Sequence, residues 1–282
     1  MEIIKKIELM QEVSDKWRRG GNIISCVPTM GFLHQGHVEL LSVGREKGDR
    51  LIMTIFVNPT QFGPHEDYER YPQDTEGDLD KARSAGVDAV FMPTVEEMYP
   101  DGFQSTVTVD NITQYLCGKS RPRHFAGVTV VVAKLFNITK PHLAIFGEKD
   151  YQQLIVLRQM VRDLNMDIDI IGVPTVREKD GLAMSSRNNY LNPEERASAL
   201  SLKKGLDLAK AIVAKGERDP AKIKNEVMEL ILKHPFTEID YIALCNPEKL
   251  TDIKRVDRPC LLALAVRVGK TRLIDNVILR EN

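Results

Sequence analysis

The 282-residue chain carries 39 Lys+Arg against 40 Asp+Glu, a formal charge of −1. It therefore lacks the basic excess with which a nucleic-acid binder displaces condensed counterions. At 43% hydrophobic and 28% charged residues it is neither disordered nor fibrous, and its length suffices for one large core or two moderate ones.

Taken in chain order, the opening MEIIKKIELMQEV has no apolar core or small-residue cleavage site and is read as the start of a cytoplasmic protein. Apolar, β-branched runs at residues 23–29, 51–58, 89–93, 142–147 and 167–176 show little polar alternation, as in strands covered on both faces. Helical patterns lie between them at 36–47, 75–84, 128–139 and 150–164. The alternation predicts an α/β fold, a doubly wound Rossmann-like parallel sheet. Ligands of such sheets bind outside the carboxyl ends of the strands, where the strand order reverses. Beyond residue 176 the texture changes to a polar loop (184–189), a long helix opened by Asn192 and Pro193, a helix after Asp219 and Pro220, and strand candidates at 238–244 and 261–268. The expected division is a nucleotide- and substrate-binding domain, 1–176, and a smaller α+β domain, 177–282, closing over the site. The longest apolar stretches, 128–133 and 261–266, are far shorter than the roughly 20 residues of a membrane helix. Cys26, Cys117, Cys245 and Cys260 form no CxxC pair and read as buried, reduced thiols.

The residues suited to chemistry sit after strands. VPTMGFLHQGH leads from the first of these strands into a helix, placing His34, Gly36 and His37 at a turn where unpaired backbone N–H groups and the helix dipole favour phosphate. The two imidazoles can also donate to phosphate oxygens as charge develops. Phosphate contact is preferred to a zinc pair, because HxxH supplies only two ligands, and to an incidental polar turn. GKS at 118–120 and GKT at 269–271 imitate a P-loop, but Thr113 and Leu264 stand where its first glycine belongs. FGEKD (146–150) sets Lys149 at another strand-to-helix junction with Gln153 one turn on; the plain alternative is a solvated Lys149 beside an N-capping Asp150. MSSRN (184–188) offers two hydroxyls and a guanidinium to a triphosphate. In IFVNPTQF, Asn58 and Gln61 are uncharged donor-acceptors for a small acid, or caps of their own loop. The basic stretch 119–124 either attracts an anion or is a solvated loop.

Together and in order, VPTMGFLHQGH, IFVNPTQF, RPRHFAGV, FGEKDYQQL, IGVPTVRE and GLAMSSRN, with the closing RLIDN (272–276), resemble the pantothenate synthetase (pantoate–β-alanine ligase) family of the HxGH-type nucleotidyltransferase superfamily. The resemblance implies ATP-dependent condensation of (R)-pantoate with β-alanine through a pantoyl-adenylate, Mg²⁺ accompanying the ATP, and a homodimer. It sets ATP against Met30, Gly31, Phe32, Leu33, His34, Gln35, Gly36 and His37, against Gly147, Glu148, Lys149 and Asp150, and against Val176, Met184, Ser185, Ser186 and Arg187. It gives pantoate to Gln61 and Gln153, β-alanine to Gln61, and proton donation to His37, with His34, Asn58 and Lys149 completing the catalytic set. MSSRN replaces the superfamily's KMSKS lysine, so Arg187 and the serines take the phosphate role. The acidic stretch 74–80 resembles a region linked to metal in some members; only Asp78 aligns, and no Mg²⁺ ligand is assigned. Arg123 is left without a role. Two other classes compete. Against a nucleotidyltransferase of a phosphorylated acceptor speak the uncharged Gln61 and Gln153; against a noncatalytic nucleotide-binding module speaks the joint presence of His34, His37 and Lys149.

Overall fold

The computed structural model describes residues 1–64 and 66–280; His65, in the motif that follows Asn58 and Gln61, lies outside the described residues. In chain order the elements are β1 (Glu2–Ile4), α1 (Ile7–Arg19), β2 (Ile24–Thr29), α2 (Gln35–Lys47), β3 (Arg50–Ile55), α3 (Thr75–Ser84), β4 (Ala89–Phe91), α4 (Val95–Met98), α5 (Leu116–Ser120), α6 (His124–Thr139), β5 (Leu143–Gly147), α7 (Tyr151–Asp163) and β6 (Asp169–Val173). They continue with α8 (Pro193–Ala214), α9 (Pro220–Leu232), β7 (Thr237–Cys245), β8 (Cys260–Val268) and β9 (Thr271–Leu279). Two units result. The first comprises 1–110, 121–148 and 153–174; the second comprises 111–120, 149–152 and the chain from Thr175 onward. Two short segments within the first 176 residues thus group with the second unit.

In the first unit, β1 to β6 form one parallel sheet in the order β1-β4-β3-β2-β5-β6. The chain steps outward from β2 through β3 to β4, then returns to the other side of β2 as β5. The order therefore reverses between β2 and β5, the position at which such sheets bind ligands. Alternate residues of the strands face opposite sides. Val27, Leu51, Met53, Val90 and Ile145 meet Leu40, Leu41 and Ala82 of α2 and α3 in one core cluster. On the other side Cys26 is hydrogen-bonded by Thr139 of α6, and burial pushes its thiol up to about 12. Cover on both faces explains why these strands lack polar alternation.

In the second unit, β7, β8 and β9 make an antiparallel sheet. Leu262, Leu264 and Val266 of β8 pack with Leu202, Leu206, Ile223 and Val227 of α8 and α9. The alternate Leu261 and Ala263 pack with Ile112, Leu116 and Tyr151. The 111–120 and 149–152 segments belong to this unit because they cover that second face of its sheet. Asn192 and Glu195 cap the start of α8 reciprocally at 2.9 and 3.1 Å, with Pro193 in its first turn.

The structure adds elements that periodicity missed. β1 is three residues long, too short to register as a run, and α1 follows it. β9 alternates buried and half-buried residues with Asp275 inside at 2% exposure, so its polar positions disguise a strand. α6 begins at His124, four residues before the apolar run, because RPRHFAGV supplies its first turn. Neither P-loop imitation follows a strand into a helix: GKS lies in α5 and GKT spans the β8–β9 turn.

Candidate active site

The turn after β2 is organised by its own side chains. Gly31 and Phe32 both take positive φ, +83° and +53°. The N–H groups of Phe32 and Leu33 donate to the two carboxylate oxygens of Asp78 at 2.7 and 2.6 Å. His34 caps α2: its Nδ1 accepts the Gly36 N–H at 3.1 Å, and the His34 N–H donates to Nδ1 of His37 at 3.2 Å. The imidazoles stack, with centroids 4.1 Å apart. The expectation of unpaired backbone N–H groups at Gly36 is thereby corrected, because His34 and His37 consume the Gly36 and His34 N–H groups themselves. What the arrangement provides instead is tautomer control. An Nδ1 that accepts carries no proton, so each neutral ring keeps its proton on Nε2 as a donor. Two stacked imidazoles with Nε2–H donors at the reversal of the sheet suit an anionic ligand.

The turn after β3 is equally bound. Asn58 is buried at 1% exposure and caps the 3₁₀ turn Pro59–Gln61. Its Oδ1 accepts the hydroxyls of Thr60 (2.9 Å) and Tyr99 (2.8 Å); its Nδ2 donates to Gly127 O and Gln61 Oε1, both at 3.1 Å. Asn58 has thus committed its amide to protein partners and orients Gln61, whose own Nε2 points at Met30 Sδ, 3.1 Å away. The carbonyl of Gln61 receives Arg121 Nη2 at 3.3 Å and Nδ1 of His124 at 2.9 Å. Arg121 also forks onto Glu66 at 2.6 and 2.5 Å. Within the basic stretch Arg121 and His124 brace Gln61, whereas Lys119 and Arg123 are exposed. Gly127 is required because a Cβ there would lie 2.3 Å from the Thr60 carbonyl oxygen.

At the end of β5, a Cβ on Gly147 would meet no atom within 4 Å, so the backbone borders open space. Gln153, half-buried, makes no hydrogen bond among the described residues. Its neighbour Gln152 is buried and fully used, accepting the Cys117 N–H at 2.9 Å and donating to the carbonyls of Ile112 and Tyr115. In the second unit Lys149 ends in a 3₁₀ turn with Asp150; its ammonium lies 3.5 Å from the Asp150 carboxylate, and its carbonyl accepts Asn276 Nδ2 at 2.9 Å. Val176 and Met184 are joined by a backbone bond of 3.0 Å. Ser185 caps the 3₁₀ turn Ser186–Tyr190 through the Arg187 N–H at 3.3 Å. Behind this loop Arg177 forks onto Asp275 at 2.7 and 2.9 Å, and Asn188 donates to Glu178 at 2.6 Å and Ala183 O at 3.0 Å.

Each unit thus gathers its share of the sequence-predicted residues. The first groups Met30 through His37, Asn58, Gln61, Gly147, Glu148 and Gln153; the second groups Lys149, Asp150, Val176 and Met184 through Arg187. Sequence reasoning gave no role to Tyr99, Gly127 or Asn276, and gave Arg121 only a general one, yet these hold Asn58, Gln61 and Lys149 in place. RPRHFAGV and RLIDN were visible as motifs, but the partners of their side chains lie from 32 to 155 residues away. Among the described residues no group of three or more His, Cys, Asp or Glu could hold a metal, and no helix is long and apolar enough to cross a membrane.

Comparison with known proteins gives the family. A family model described as pantoate–β-alanine ligase matches residues 2–278. A pantothenate synthetase from Caldicellulosiruptor bescii is 52% identical over 278 residues, 99% of each chain. A crystal structure of pantothenate synthetase from Thermus thermophilus superposes with a TM-score of 0.92 at 41% identity, covering 98% of this chain and 99% of that one. A Francisella tularensis pantoate–β-alanine ligase crystallised with β,γ-ATP and β-alanine gives 0.81 at 33% identity, over 99% and 97%. The chain therefore belongs to the pantoate–β-alanine ligase family.

Proposed function

We propose that the protein is a pantoate–β-alanine ligase that condenses (R)-pantoate with β-alanine, converting ATP to AMP and pyrophosphate. The observation that carries the reading is the reciprocal cap of His34 and His37, which leaves each neutral ring an Nε2–H donor at the turn after β2, within a chain whose family match spans residues 2–278. A carboxylate oxygen of pantoate attacks the α-phosphorus, forming the acyl–phosphate bond as the α–β bridging bond breaks and pyrophosphate leaves. His34, His37 and Lys149 stabilise the negative charge developing on the phosphates, a role in which loss of one donor costs about 3 kcal/mol in the barrier. His37 is the proton donor. The amine of β-alanine, having lost a proton, then attacks the acyl carbon, and AMP leaves with the electron pair of the acyl–oxygen bond.

Gln61, with its carboxamide oriented by Asn58, and Gln153, whose side chain has no hydrogen bond among the described residues, take the hydroxyl and carboxylate oxygens of pantoate; Gln61 also reaches β-alanine. Ser185, Ser186 and Arg187 take ATP oxygens. Mg²⁺ would enter with ATP and would neutralise charge on its phosphate oxygens. We further place the enzyme as a cytoplasmic homodimer, as the family resemblance implies; four free, buried cysteines fit a reducing compartment. The deciding experiment is ATP–pyrophosphate isotope exchange with Mg²⁺ and (R)-pantoate, without β-alanine, followed by product analysis when β-alanine is added. Pantoate-dependent exchange and then pantothenate formation is expected. No exchange from a folded, ATP-binding sample would overturn the reading in favour of another acceptor or a noncatalytic module.

A further inference from the structure

Asp78, on α3, is 1% exposed and gives both carboxylate oxygens to the backbone of the turn after β2. Oδ2 accepts the Phe32 N–H at 2.7 Å and Oδ1 the Leu33 N–H at 2.6 Å, distances short enough for charge-assisted bonds. Phe32 stands at φ +53°, a conformation that a residue with a Cβ keeps only where its surroundings enforce it. Leu33 leads directly into the His34 N–H, the bond that orients His37. A Cβ on Gly31 would come within 3.0 Å of Oδ2, so the backbone closes tightly over the carboxylate. With each oxygen already accepting a backbone N–H and the side chain 1% exposed, a divalent cation has little access to the remaining lone pairs.

We propose that Asp78 is a positioning residue for adenylate formation: it fixes the turn at residues 31–33, and through it the Nε2–H donors of His34 and His37, and it is not a ligand of Mg²⁺. This deepens the ligase reading and rests on it only in its kinetic arm. The alternative is that Asp78 merely fastens α3 to the sheet. The two differ in what they require of the imidazoles.

The test compares wild type with D78N and D78E in the full chain. D78N keeps one acceptor but sets an amide N–H against a backbone N–H; D78E keeps the charge one methylene too far out. In ligand-free protein with ¹⁵N-labelled histidine, wild type should show His34 and His37 as Nε2–H tautomers, and both variants a mixture. This arm needs no substrate, so it stands or falls separately from the ligase assignment. Pantoate-dependent exchange should fall about 10²-fold, while capture of supplied pantoyl-adenylate by β-alanine stays near wild type and the Mg²⁺ concentration for half-maximal exchange does not move. A raised Mg²⁺ requirement with unchanged imidazole signals would overturn the proposal in favour of a metal ligand. Equal loss of both half-reactions with a lowered Tm and intact tautomers would reduce Asp78 to packing. Should D78N fail to fold, D78E decides alone: wild-type tautomers and exchange in it refute the proposal.

Discussion

Replacing Gly127 by alanine tests whether the turn Pro59–Gln61 holds the acid substrate. The new Cβ would lie 2.3 Å from the carbonyl oxygen of Thr60, 2.5 Å from its carbon and 2.6 Å from the Gln61 nitrogen. Since Cβ atoms essentially never approach closer than 3.0 Å, α6 and the turn must separate by about 0.7 Å. Neither gives way easily. Val128, Thr129 and Val130 of α6 are buried, and the turn is tied by Asn58 to Gly127 O and by His124 to Gln61 O. Overpacking of this kind costs about 1–3 kcal/mol, or a fall in Tm of roughly 2–10 °C for a chain of this size. A displacement approaching 1 Å at a substrate-holding group costs about 10²-fold in rate. The assay is exchange kinetics with pantoate and ATP varied separately. G127A should lose about two orders of magnitude in kcat/KM for pantoate, with the KM for ATP close to wild type. G205A is the control: its Cβ would press on Val227 Cγ1 at 3.0 Å, in the second unit, and should lower Tm without touching pantoate kinetics. The reasoning is refuted if G127A loses stability as G205A does yet keeps wild-type pantoate kinetics.

H37A should abolish exchange and also destabilise by about 1 kcal/mol, because His37 Nδ1 accepts the His34 N–H. H37Q keeps an acceptor of capping-box type and should restore Tm but not exchange; recovery of both would remove His37 from the chemistry. Q153A should raise the KM for pantoate with little change in Tm, since Gln153 has no hydrogen bond to lose; a KM equal to wild type would exclude it from the site. Burial works to raise the Glu66 carboxyl, but the Arg121 hydrogen bond and charge, with the Gly63 N–H, outweigh it and hold the group below its ordinary 4.5. A depressed folded value means that the stabilisation is fully present above that ordinary range and is lost as pH falls through the folded value. Acid unfolding followed downward from pH 4.5 should therefore be shallower in E66Q; identical acid limbs would show that the Glu66–Arg121 pair carries none of it.

The parallel sheet was legible because strands buried on both faces are largely apolar, as in β2, β3, β4 and β5; the run at 167–176 also marked β6, an edge strand in which only Val173 is buried. Lys149 and the two histidines stood out as candidates because only certain side chains suit a strand-to-helix turn. Less legible was the role each would play. Asn58 read as a substrate donor, whereas its amide is spent on Thr60, Tyr99, Gly127 and Gln61. Gln152 and Gln153 are indistinguishable as letters; burial makes one a brace for the 112–117 segment and leaves the other unbonded. The domain division was placed by texture along the chain, and texture cannot register that segments 111–120 and 149–152 cover a sheet formed by residues that begin at Thr237.

Periodicity and motif order by themselves determined the layered α/β plan, the family resemblance and the candidate residues, since each follows from local spacing and residue chemistry. Tertiary structure alone decided which polar groups remain available. Hydrogen-bond capacity is finite, and partners such as Asp78 for Leu33, Asn276 for Lys149 and Asp275 for Arg177 come from distant positions. That accounting turns the backbone N–H groups expected to hold phosphate into the means by which two imidazoles are aimed.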